Sequence, residues 1–271
     1  MDSQQNQEIQ AKKSVDSTGI YFNPEKDTPT YKMVVDGALK ELMEFYNAKE
    51  NENGWKFVGN IKGVEVLRKP ASPDFSIWDC SKGTIEINVP LHFLLSYLDN
   101  FDNVPDHDEM FDAGEEIEVL GGLTKVIYLK YKGIWPVSPR DFCSISAVRV
   151  LQDGTVTFFT KHVEHHSCPP CKKYVRGSIL IAGVVLKVLS EDPPRIMSTN
   201  VAHFDLKGSV PATIINMVTA NQGGRIGLIK EAVEKMYNEE LDNPDRAPSK
   251  FKKDALEFAE KVKRAREVMA N

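Results

Sequence analysis

Trp135-Pro136-Val137-Ser138-Pro139-Arg140-Asp141-Phe142 separates two apolar, β-branched-rich runs, residues 126–131 and 142–150. Prolines are poorly tolerated inside a sheet. The stretch therefore reads as a loop carrying Trp135-Pro136, with Arg140-Asp141 at the mouth of the second strand. A tryptophan held on a loop tip forgoes several kcal/mol of burial at ~25 cal/mol per Å². Trp135 thus marks a surface that meets something outside the chain.

Working outward, the strand at 142–150 continues through the turn Gln152-Asp153-Gly154-Thr155 into a second strand at 156–164. Asp-Gly between alternating apolar residues predicts a tight hairpin with positive φ at both central positions. Two more long strands are expected at 174–188 and 195–205, divided by Glu191-Asp192-Pro193-Pro194. On the other side lie strands at 123–131 and 116–120, joined at Gly121-Gly122, and a short helix over 104–111. A helix at 90–98 precedes them, and four short strands at 55–58, 64–68, 75–80 and 84–88 are punctuated by Gly63, Pro70, Pro73 and Lys82-Gly83.

Helices close both ends of this run. Thr28 and Pro29 offer a cap and a first position for a helix over 29–49, whose apolar residues (Val35, Ala38, Leu42 and their neighbours) recur at helical spacing. Ser209 opens a longer helix reaching Tyr237, with Ile214, Ile215, Val218, Ile226, Ile229, Val233 and Met236 on one stripe. Gly223-Gly224 inside it implies a kink or close packing. Many strands without parallel crossovers, followed by one long helix, make an α+β architecture. Residues 1–27 are polar and aperiodic and read as disordered, 28–240 form the domain, and 241–271 are a charged tail. Within that tail 249–269 reads as a basic amphipathic helix, which packs on the domain or lies on an anionic membrane, the modest charge favouring packing.

Composition narrows the function. The 271 residues carry a net charge of −5 with both signs interspersed, which speaks against a nucleic-acid partner. No apolar run reaches the ~18 residues of a spanning helix, and the polar first residues do not resemble a signal peptide. Cys80, Cys143, Cys168 and Cys171 suit a reduced chain better than a disulfide framework. The expectation is a cytoplasmic, monomeric protein. Cys168-x-x-Cys171 near His162, His165 and His166 could ligate zinc, but no second pair is spaced to complete a site and Pro169-Pro170 stiffens the link, so no metal is expected. No nucleophile elbow, zinc-protease helix or phosphate-cradling loop is present, and neither an enzyme nor a cofactor is expected.

Two further segments complete a pattern with the Trp135 loop. His162-Val163-Glu164-His165-His166-Ser167-Cys168-Pro169-Pro170 leads to Tyr174-Val175-Arg176-Gly177, and Asp205-Leu206-Lys207-Gly208-Ser209-Val210-Pro211 leads to Ile214-Ile215-Asn216. In this order the three resemble the START family of lipid-transfer domains over roughly residues 30–240. The resemblance implies a helix-grip fold, a curved antiparallel sheet wrapped around the last helix with a lipid tunnel between them. It implies a carrier that binds lipid and moves it between membranes, touching them transiently. A lipid sensor and an enzyme of the same superfamily are the rival readings.

On this reading Val126, Tyr128 and Ile145 from the strands and Ile215 and Val218 from the helix line the tunnel. Trp135, Pro136 and Ser209 form a membrane gate hinged at Gly133 and Gly208. Arg140 and Asp141 pair to fix the strand, or Arg140 reaches a headgroup. Sterol-transfer relatives often carry an Arg–Glu pair where this chain has Ser146 and Ile127. Phosphatidylcholine-transfer relatives carry a phosphate-binding Arg three residues before a Trp-Asp pair. Phe111-Asp112 matches that pair, placing Asp112 at the ligand, while Asp108 occupies the Arg position. The missing sterol pair favours phospholipid over sterol, with a sterol or sphingolipid carrier as the alternative.

Overall fold

The computed structural model describes residues 29–242 except 73, 75–77 and 122, together with residue 260. Helix α1 (Pro29–Asn47) comes first. Strands β1 (Lys56–Ile61), β2 (Val64–Lys69) and β3 (Cys80–Ile87) follow, then helix α2 (Leu91–Asp99) and a 3-10 turn (Phe101–Asp106). Next are β4 (Phe111–Gly121), β5 (Thr124–Tyr131), β6 (Arg140–Val150), β7 (Val156–His162), the two-residue β8 (Val175–Arg176), β9 (Ser178–Glu191) and β10 (Pro194–Asp205). Helix α3 (Ala212–Leu241) closes the described chain. All the strands form one sheet in the order β1-β2-β3-β10-β9-β7-β6-β5-β4, antiparallel throughout except that β8 lies parallel beside β6.

The sheet is covered on both faces. On the inner face Val64, Val66, Val148, Val184 and Ile196 pack against Ile226, Ile229 and Val233 of α3 and Leu94 and Leu95 of α2. On the outer face Leu67, Val126, Ile145, Phe159 and Ile181 pack against Val35, Ala38 and Leu42 of α1. Double coverage explains why β6 is buried at every position, including the polar Arg140, Asp141, Ser144, Ser146 and Arg149. The buried Lys82 ammonium completes the end of α1, donating to the carbonyls of Phe45, Tyr46 and Ala48.

Several expectations are corrected. Lys82-Gly83 is not a turn. β3 runs straight through it, because Gly83 is where α3 crosses the sheet, and a Cβ there would overlap the Gly223 carbonyl oxygen. Gly223-Gly224 is thus close packing, against Val66 and Ile61. The helix expected at 104–111 is a 3-10 turn ending at Asp106, and β4 already begins at Phe111. In the 152–155 turn only Gly154 has positive φ, +78°. Its amide donates to Leu151, and the Leu151 amide donates to Thr155, making a three-residue loop. Gly177 divides the expected 174–188 strand, since a side chain there would strike the Phe142 ring. Ser209 lies before α3 and does not cap it: the cap position is Pro211, without a side-chain bond. Residues 75–77 of the expected strand at 75–80 lie outside the described residues, as do the 1–27 segment, the Thr28 cap and nearly all of the tail, while Trp78 and Asp79 are not in a strand and Cys80 begins β3.

Candidate functional site

Between α3 and the inner face of the sheet lie two adjoining chambers of about 170 and 230 Å³. Ile127 and Leu129 of β5, Ser146 of β6, Phe158 of β7, Ile179 and Val184 of β9 and Ile229 of α3 line the inner one. Ile134, Val137 and Ser138 of the Trp135 loop, with Arg140, Phe142, Leu206, Ile214 and Val218, line the mouth chamber. Tyr131, Ile179, Phe204, Gln222 and Arg225 belong to both.

The junction is polar. Arg225 holds Asp108 at 2.9 Å and lies near the Tyr131 hydroxyl, whose pKa burial pushes up. His107 contacts the Tyr97 hydroxyl at 3.1 Å through Nδ1. Burial first, then the Arg225 charge, depress its imidazole pKa to about 3, so His107 is neutral at physiological pH. Deeper in, Lys125 faces Asp99 at 2.7 Å. An acid at Asp108 beside Arg225 does not present the bare negative charge that its position implied.

Arg140 and Asp141 do not pair. Successive strand residues point to opposite faces, so Arg140 enters the cavity side and Asp141 the α1 side. Asp141 is fully buried, accepting from Tyr128 at 2.7 Å and from Arg176 at 3.0 and 2.9 Å. Arg176 goes on to the Cys168 and Pro169 carbonyls, fixing the His-Cys loop to the sheet. Arg140 is 6% exposed and donates only to carbonyls, those of Ser138, Leu206 and Lys207. It joins the Trp135 loop to the approach of α3.

The expected lining slips by one residue. Val126, Tyr128 and Ile145 face α1, while Ile127, Leu129 and Ser146 line the inner chamber. Asp112 is exposed on β4, whereas Phe111 reaches the chamber. Val218 lines the mouth chamber, joined there by Ile214 rather than Ile215. Trp135 is 91% exposed and Pro136 follows it at the tip. Gly208 adopts φ +65°, and Gly133 packs within 2.6 Å of the Val137 carbonyl oxygen, measured from an added Cβ. Sequence reasoning missed Gln222 and Arg225. Their signal was available: Val218, Gln222, Arg225 and Ile229 follow at helical spacing, a polar interruption in an apolar line. Among the described residues no group of His, Cys, Asp or Glu is arranged to hold a metal, and His165 meets Glu118 at 2.9 Å.

Residues 38–234 match the family model of the START domain. StAR-related lipid transfer protein 5 of Bos taurus is 23% identical over 231 residues, covering 78% of this chain and 99% of that protein. The ceramide transfer protein of Mus musculus is 24% identical over 184 residues, 62% of this chain and 30% of that protein. Among solved structures, human StAR-related lipid transfer protein 5 superposes with a TM-score of 0.66 at 22% identity, covering 76% of this chain and 97% of that one. Human STARD10 follows at 0.62 and 20%, covering 77% and 88%.

Proposed function

Because the chain belongs to the START domain family, we propose that it binds a phospholipid in the two chambers and carries it between membranes, without chemistry on its ligand. Lipid chains exposed to water cost ~0.8 kcal/mol per CH₂, which makes desorption from a bilayer slow. An apolar inner chamber replaces that water with hydrocarbon contact. The mouth, built from the Trp135 loop and the 206–211 approach to α3, is the moving part, opened at a membrane where Trp135 inserts. Such a carrier acts as a monomer at cytoplasmic membrane faces.

Arg140 carries the phospholipid assignment. A buried guanidinium normally has a carboxylate, and among the described residues Arg140 has none. Three of its five N–H groups reach carbonyls, leaving others for an anionic oxygen in the mouth chamber. Arg140→Leu is expected to lower phosphatidylcholine occupancy, read by native mass spectrometry after vesicle incubation, by about tenfold or more. Unchanged occupancy in a folded Arg140→Leu protein, or retention of sterol in preference to phosphatidylcholine by the wild type, would overturn the assignment.

A further inference from the structure

The junction of the two chambers has donors that the fold does not use up. Gln222 lines both chambers, and its amide makes no hydrogen bond to any described residue. One turn on, Arg225 gives part of its five N–H groups to Asp108 and lines the same space with the remainder. Polar groups in an apolar cavity cost free energy until they are paired. The ligand therefore places an acceptor here.

Geometry says which acceptor. With the phosphate at Arg140 in the mouth chamber and the chains in the inner chamber, the part of the lipid that crosses the junction is the linkage between head and chains. In acyl lipids that linkage carries carbonyl oxygens, from esters or amides. In ether lipids of the same head and length it carries none. We infer that Gln222 and Arg225 recognise the linkage carbonyls, making the protein selective for acyl over ether-linked lipids. This inference rests on the phospholipid reading above.

The test uses the full chain, offered equimolar dioleoyl phosphatidylcholine and its dioleyl diether analogue in mixed vesicles, with retained lipid weighed by native mass spectrometry. The wild type is expected to retain the diacyl form over the diether by about tenfold. Gln222→Leu, at an unchanged melting temperature, is expected to reduce that ratio by at least about threefold. Equal retention of both lipids by the wild type overturns the inference while leaving the phospholipid reading intact, and needs no variant to fold. So does an undiminished ratio in folded Gln222→Leu. Retention of neither lipid overturns both.

Discussion

Asp141 is held by Arg176 and Tyr128 on a face that α1 and the His-Cys loop keep dry. Removing one partner of such a pair leaves a charge buried alone, which typically costs ~3–5 kcal/mol. Arg176→Met should lower the unfolding free energy by about that much, measured by urea titration, while the folded fraction keeps normal lipid occupancy. That outcome is the reverse of the one expected for Arg140→Leu, although the two arginines reach neighbouring positions of one strand. Trp135 is a third kind of residue, with almost nothing of the core on it. Trp135→Ala should change stability by less than ~0.5 kcal/mol and yet slow the exchange of labelled lipid between donor and acceptor vesicles. An unslowed exchange, or a large drop in melting temperature, would make Trp135 a packing residue.

At the level of elements, α3 can lie close to the sheet because Gly83 and Gly223 face each other without side chains. Gly83→Ala should force the helix away from β2 and β3, destabilising by ~1–3 kcal/mol or more. Gly37 is the opposite case, in the middle of α1 with open space around its Cβ position, so Gly37→Ala should stabilise by ~0.5–1 kcal/mol. Thermal melts of the two variants check both signs. The contrast shows what the sequence made legible. Helices α1, α2 and α3 and strands β5, β6, β7, β9 and β10 follow from period and turn chemistry, because each has one dominant apolar face or a clear stop. Gly83 could not be read as a contact point, since a glycine in a strand and a glycine in a turn look alike until the packing partner is known. The cavity face of β5 and β6 was equally hidden. With both faces covered, Val126 and Ile127 are equally apolar and equally buried, and only α1's position says which one points outward. The adjacency of Arg140 and Asp141 suggested a pair that strand geometry forbids.

The half-buried His107 and the buried His203 shape the behaviour of the whole molecule in acid. Burial holds the imidazole pKa at about 3 for His107 and about 4 for His203, below the ~6.5 of an unfolded chain. The unfolded state therefore takes up protons that the folded state refuses. Their contribution is complete above about pH 6.5 and is lost as pH falls toward 4, with a slope approaching about 1.4 kcal/mol per pH unit for each group. Urea melts from about pH 7.5 down to about pH 4.5 should show stability falling through this window, and His203→Leu should make the decline shallower. The cavity bears on the same balance. A protein interior is packed about as densely as an organic crystal, but here two chambers lie between the sheet and its longest helix. If lipid fills them, the cargo is the absent piece of the interior, and the loaded complex is the form in which the core is whole. Emptied, the molecule becomes the softer of the two forms, more easily collapsed by hydrostatic pressure, because unfolding eliminates a void that the loaded form does not have.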